Sequence, residues 1–244
     1  MNIAEISKKV RRRETPFYDR LYRIAKSVRG FEVPYVPGLH DILYQERNSR
    51  INLWRTFWRV FYYQPLFRSR CQSCGKNLYI YNSGQGLPVI QGDLQIFFGD
   101  KVSIYDRVTL AALTIGEKPK LIVGDNTDMS THMGILVGNE VSIGSDCMIG
   151  CAIISDNPGH NPEIKERHNK LKKEYIGKVK IGNHVWAAAE SMIIGSVTVG
   201  DWAIIAARAI VTKDVPPFCI AAGNPAKIIK KLSISEEDAN KLNP

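Results

Sequence analysis

The chain has 244 residues, 44% of them hydrophobic and 23% charged, a globular composition that excludes a disordered or collagen-like chain. No apolar run is long enough to span a bilayer, the basic start MNIAEISKKVRRRE lacks the apolar stretch of a secretory signal, and five cysteines do not make a disulfide scaffold. A cytoplasmic protein is expected. The net charge of +9 lies wholly in residues 1–70, which hold 15 Lys/Arg against 6 Asp/Glu and 13 of the 22 aromatics.

Residues 1–30 read as helix, because Ile3, Ile6, Val10, Phe17, Leu21, Ile24 and Val28 recur three and four apart before Gly30. Pro34, Pro37 and Gly38 mark a loop, and residues 39–63 read as a second helix closed before Pro65. Residues 1–70 are thus a basic, aromatic-rich helical appendage. Cations interleaved with Trp54, Phe57, Trp58, Phe61 and Tyr62 suit either an anionic membrane surface, which would be the inner face for a cytoplasmic protein, or packing on the main domain or a neighbouring subunit. No nucleic-acid partner is expected.

From about residue 76 the helical period gives way to a repeat of six. From Ile181 the chain reads IGNHVW, AAAESM, IIGSVT, VGDWAI, IAARAI, VTKDVP. First positions are Ile181, Ala187, Ile193, Val199, Ile205 and Val211; fifth positions are Val185, Ser191, Val197, Ala203, Ala209 and Val215. Upstream, Val137, Ile143 and Ile149 take first positions and Val141, Cys147 and Ile153 fifth ones, with further pieces from Phe98, Ile104, Leu110, Val123 and Met129. Such a period predicts a solenoid of short strands and turns, in which first-position aliphatics line the axis and small residues fit the corners.

These repeats, followed by TKDVPPFCIAAGNPAKIIKKL at 212–232, closely resemble the hexapeptide-repeat acyltransferases. The resemblance implies a left-handed parallel β-helix over residues 71–232, three hexads to a triangular coil, a homotrimer, and a short C-terminal helix, with residues 233–244 as a tail. It implies acetyl-CoA as acyl donor, with no metal.

The hexads stop after Ile149 and resume at Ile181. The intervening CAIISDNPGHNPEIKERHNKLKKEYIGKVK is polar, with turn chemistry at Asn157-Pro158-Gly159, and predicts a loop extruded over residues 155–180. SDNPGHNPEIKER looks like the His-containing loop of the sugar O-acetyltransferases of this family, with His160 at the catalytic position. Moving an acyl group from a thioester to a hydroxyl needs a base near neutrality, and imidazole is one. The resemblance implies His160 as general base for direct attack of a sugar hydroxyl on the thioester. It also puts His132, Asp156, Asn157 and Trp186 near the acceptor; His132, in THMGILVG, could instead be a second base or have no role. It places Ala189, Ala207 and Thr212 along the pantetheine arm, and Lys213, Lys227 and Lys230 near the nucleotide phosphates. Trp186-Ala187-Ala188 departs from the W-I-G usual there.

His168 reads as a solvated loop residue and His184 as an outward-facing one. Cys71-x-x-Cys74 looks like half a zinc ribbon without its second half, so buried small hydrophobes are the default reading of the cysteines. The expected function is O-acetylation of a surface polysaccharide, a lipopolysaccharide or a precursor. N-acylation of a nucleotide-linked amino sugar is the alternative enzyme, and a non-enzymatic scaffold or a zinc carbonic anhydrase-like protein the alternatives of another class.

Overall fold

The computed structural model describes residues 2–233 except Gln85, Thr114 and Gly116, and falls into two units, Met1–Asn52 and Leu53–Pro244. In the first unit the single helix expected over 1–30 is two, α1 (Ile3–Arg12) and α2 (Pro16–Arg29). Arg13 turns left-handed at φ 53° and returns its N–H to Lys9 and Val10, closing α1. Thr15 then caps α2 by accepting from the Tyr18 N–H, and Pro16 sits in the first turn, where a missing N–H costs nothing. A third helix, α3 (Leu39–Trp58), begins in this unit.

In the second unit the helix does not close before Pro65. It widens into a π-turn over Arg59–Tyr63 and continues as α4 (Gln64–Arg68), with Pro65 again in a first turn. α4 drives Phe67 into the end of the core, 1% exposed, with its ring 5.7 Å from that of Phe98. A solenoid needs such a plug, since its terminal coil has no neighbour to cover it.

The rest is a parallel β-helix with three faces. The first face stacks Ser73–Cys74, Gln95–Phe98, Lys120–Val123, Glu140–Ile143, Lys178–Ile181 and Val197–Val199. The second stacks Tyr79–Tyr81, Ser103–Tyr105, Asp128–Met129, Met148–Ile149, Trp186–Ala187, Ile204–Ile205 and Cys219–Ala222, and the third Val89–Gln91, Thr109–Ala112, Gly134–Val137, Ile153–Ser155, Met192–Ile194 and Ile210–Val211. Only the last described strand, Lys227–Lys231, runs antiparallel, on Cys219–Ala222. The described chain therefore ends in a strand rather than a helix; the tail from 234 on, where a C-terminal helix would have to lie, is outside the described residues.

All six first-position and all six fifth-position residues of the downstream array are buried. The upstream array holds to Ile149 and then departs. Ile153 is 39% exposed, and Ala152 and Ile154 point inward instead. Between paired strands the corner here has three residues, Gly150 to Ala152, where the coils before and after have four (Ser130 to Met133 and Ala188 to Ser191). The Ala152 N–H turns straight back to the Gly150 carbonyl at 2.6 Å. One residue is missing from this hexad, so every side chain after it changes sides, as a one-residue slip in a strand requires.

The slip can be tested by truncation. Ile154→Ala should cost about 2–5 kcal/mol of stability and Ile153→Ala under about 1 kcal/mol, read from denaturant unfolding; the reverse order would restore the uninterrupted hexads.

Candidate active site

The chain leaves the β-helix at the edge between the third and first faces. Three successive coils turn there by residues 113–119, by Gly138-Asn139 alone, and by the long loop 156–177. The loop is anchored where it begins. Asp156 is fully buried, and its carboxylate accepts from the backbone N–H of Gly138 and Asn139, both at 2.7 Å, and of Glu140 at 2.9 Å, with the Asn157 amide donating at 2.8 Å. Burying a carboxylate is tolerable when it is hydrogen-bonded this fully. A Cβ on Gly138 would lie 3.2 Å from that carboxylate and 2.9 Å from Ile176 Cγ2, so the close approach requires glycine.

Two asparagines flank His160. Asn157 Oδ1 accepts from the Gly159 N–H at 2.9 Å, which fixes the turn before it. Asn161, 1% exposed, donates to the carbonyls of Glu166 and Lys170 and accepts from the Lys172 N–H, pinning the loop across itself. Further out, Lys172 bridges Glu163 at 3.1 Å and Glu166 at 2.6 Å, and the Tyr175 hydroxyl donates to Glu163 at 2.8 Å. That bond pushes the Tyr175 phenol up to about 12, while Tyr175 and then Lys172 hold Glu163 below the usual carboxylate range. His160 itself is exposed and has no hydrogen-bond partner among the described residues. The Asp156 carboxylate is engaged by the 138–140 turn and by Asn157, and the Asn157 amide by Asp156 and Gly159, so both stand within the frame of the turn that precedes His160.

His132 lies elsewhere, at the edge between the second and third faces, exposed and left-handed at φ 56°. Arg107 Nη1 is 3.3 Å from its Nε2, and Thr131 Oγ1 is 3.1 Å from Nδ1. Arginine can only donate, so Nε2 is the acceptor and its lone pair is taken. Trp186, 48% exposed, stands on the second face in a column with Met148, Ile204 and Ile220. Beside that column runs a second one of Gly150, Ala188, Ala206 and Ala222, so the face bears a shallow trough floored by small residues. The sequence reading gave these small second hexad positions to the corners, which Gly150 and Ala188 do open; their alignment in one column along the rod comes from the strand pairing.

The expected donor residues divide between two places. Ala189 and Ala207 are exposed at the rim of the trough, and Lys227 and Lys230 pair with Ala222 and Ile220 at its end. Thr212 and Lys213 are exposed after the last strand of the third face. His168 is exposed, as expected, whereas the half-buried His184 ring stacks on Trp202 with centroids 4.0 Å apart.

Cys147 and Cys219 are buried, while Cys71 and Cys74 are half-buried beside one another. A hydrogen bond from the Cys71 thiol brings Cys74 down to about 7, with Arg68 helping, and raises Cys71; burial pushes Cys147 up. Among the described residues no three His, Cys, Asp or Glu side chains group as metal ligands.

Residues 178–213 match the family model of the bacterial transferase hexapeptide, six repeats, over the stretch in which every first and fifth position is buried. Residues 178–213 are hexapeptide repeats. Chloramphenicol acetyltransferase of Agrobacterium fabrum is 42% identical to it over 106 residues, 36% of this chain and 50% of that one. Galactoside O-acetyltransferase of Escherichia coli is 32% identical over 114 residues, 46% of this chain and 54% of that one. This hexapeptide-repeat chain spans about half the length of these curated relatives. Among solved structures, AntD, an N-acyltransferase from Bacillus cereus in complex with dTDP and 3-hydroxybutyryl-CoA, superposes with a TM-score of 0.53 at 20% identity, covering 74% of this chain and 96% of that one, a likeness of fold.

Removing the anchor should loosen the loop. Asp156→Ala should speed tryptic cleavage after Lys165, Arg167 or Lys170 about tenfold or more while the β-helix stays folded, followed by mass spectrometry of the fragments. Iodoacetamide should alkylate Cys74 at a rate that rises with pH through a midpoint near 7 and leave Cys147 unmodified in the native protein, as read by peptide mapping.

Proposed function

We propose that the protein is an acetyl-CoA-dependent O-acetyltransferase that acetylates a sugar hydroxyl of a surface polysaccharide, a lipopolysaccharide or a precursor, with His160 as general base. The observation that carries the reading is a loop braced at Asp156, Asn157 and Asn161, on both sides of His160, whose exposed imidazole has no partner of its own among the described residues. A base must keep its lone pair free for the substrate proton; His132, engaged by Arg107, does not. Galactoside and polysialic acid O-acetyltransferases among the relatives agree with an oxygen acceptor.

The trough on the second face suits the donor. A thin pantetheine-like arm can lie on Gly150, Ala188, Ala206 and Ala222 beside Trp186, with Ala189 and Ala207 at the rim and Lys227 and Lys230 at the end for phosphates. Thr212 and Lys213 are assigned to the same donor through a neighbouring copy. The thioester supplies the acetyl group. As the acceptor hydroxyl attacks its carbonyl, His160 takes the hydroxyl proton, the C–S bond breaks, and coenzyme A leaves as the thiol with the proton returned by the imidazolium, so no covalent enzyme intermediate is needed.

The acceptor is assigned to a pocket of about 270 Å³ on the floor Gly138-Asn139, between Ile115 and Glu117 on one side and Lys173 and Ile176 of the His160 loop on the other. Two isoleucines and two opposite charges suit a ring with an apolar face and hydroxyl edges. The loop springs from the edge opposite the second face, so loop and trough meet only when a second copy supplies one of them. A homotrimer satisfies this. It is also favoured by exposed apolar side chains outside the second and third faces, Met148, Trp186, Leu136 and Ile153 among them. His132, at the rim of the second face, is given an acceptor-side role.

No helix among the described residues is long and apolar enough to cross a membrane. We place the enzyme in the cytoplasm, with the basic, aromatic residues 1–70 in peripheral contact with an anionic membrane surface that carries its acceptor.

His160→Ala should lower kcat about 10²- to 10⁴-fold in a thiol-release assay with acetyl-CoA and a panel of glycans, with thermal stabilisation by acetyl-CoA retained. His132→Asn should act mainly on the acceptor KM. Near-normal turnover by His160→Ala would remove the base assignment, and a large kcat loss in His132→Asn would transfer it.

A further inference from the structure

We propose that the cleft between α1 and α2 is a phosphate-binding site that seats the phosphomonoester headgroup of an anionic lipid. The proposal deepens the membrane contact given above to residues 1–70 and rests on that reading. The two helices enclose about 250 Å³, lined by Ser7, Val10 and Arg11 from α1 and by Tyr22, Lys26 and Arg29 from α2. Tyr22, Lys26 and Arg29 lie at helical spacing and share one face, turned towards Ser7 and Arg11.

Four cations on these helices are paired among the described residues, while those of the cleft, like Lys8 and Arg20 outside it, are not. Lys9 pairs with Glu5, Arg12 with Glu14, and Arg13 and Arg23 both with Asp19. Arg11, Lys26 and Arg29 have no acidic partner among the described residues. Three unpaired cations around one hollow repel one another, and an anion between them relieves that repulsion. The Tyr22 hydroxyl is held below its ordinary range by the Arg13 hydrogen bond first, then by the charges of Arg13 and, from the cleft, of Lys26 and Arg29. Arg13 itself lies over the Tyr22 ring, 4.2 Å from its centroid. Two guanidinium forks, an ammonium and the hydroxyls of Ser7 and Tyr22 are a donor set for a tetrahedral dianion with three free oxygens.

A membrane is the source that also accounts for the exposed Ile3. Ile3 is 84% exposed, Phe17 65%, Ile24 53% and Val28 69%. Ile3, one turn before Ser7, stands on the cleft side of α1 and is taken up by a bilayer interface as the headgroup enters the cleft, whereas Phe17, Ile24 and Val28 occupy a stripe of α2 turned away from Tyr22, Lys26 and Arg29.

The test uses the full chain and sedimentation with phosphatidylcholine vesicles, alone or doped with phosphatidic acid or, at equal surface charge, with phosphatidylserine. Phosphatidic acid vesicles should bind tightest, and glycerol 3-phosphate should compete. Arg11→Gln with Arg29→Gln should lose about tenfold more affinity for them than the charge-matched control Lys8→Gln with Arg20→Gln, whose side chains lie outside the cleft. All variants should keep helical circular dichroism and acetyl transfer to a soluble acceptor. Equal losses in the two variants, or equal binding of the two doped vesicles, would overturn the cleft and leave the membrane contact standing. Binding to no anionic vesicle would overturn both. Binding of glycerol 3-phosphate without vesicle binding would overturn the lipid assignment.

Discussion

The molecule depends on one constraint: no coil can bury its own interior. Strands of two to four residues offer one or two inward side chains each, and only the coils on either side close over them. In-register parallel pairing turns these side chains into continuous columns, such as Ile104, Met129, Ile149, Ala187, Ile205 and Ala221 behind the second face. A segment can leave such a rod only at an edge, and it must leave without opening the column. The loop of 156–177 meets both conditions, since Val137 and Val179 stay buried on either side of its exit.

Leaving at an edge strands backbone N–H groups, and the same remedy appears twice. Asp156 takes up three of them at 138–140. Asp106, also fully buried, accepts from the N–H groups of Ser83, Gly84 and Gly86 and from the Ser83 hydroxyl in an earlier coil. A carboxylate in such a nest is stable only while its donors stay in place, so it locks the geometry of whatever it holds. At Asp156 the thing held is the platform for an imidazole, which lets a polar loop behave as a rigid support.

The hexads were legible because an aliphatic residue every sixth place has no competing explanation over so long a stretch, and the six downstream first positions read as lining the axis are buried, as are the six fifth positions read as corner residues. What escaped was local backbone geometry with a weak sequence signal. Three residues at a corner in place of four leave the composition unchanged, so Ile153 looked like a fifth position although Ile154 faces the axis. The break between α1 and α2 rests on one left-handed arginine and a Thr-Pro start, which the apolar period runs straight through. At the site, His160 stood out by residue type, but Asn161 did not, because a buried asparagine and a solvated one look alike in a polar segment. The trough on the second face emerges only when strands far apart in sequence are stacked.

The three-residue corner has an effect beyond register. Along the edge between the second and third faces, Arg107 meets His132 and Arg208 meets Glu190 at 2.7 Å, but the coil between these two pairs contributes no left-handed residue there. The edge is therefore notched at Gly150–Ala152, and its charges form two isolated couples instead of one alternating ladder. One inserted residue would restore there the four-residue corner of the coils on either side.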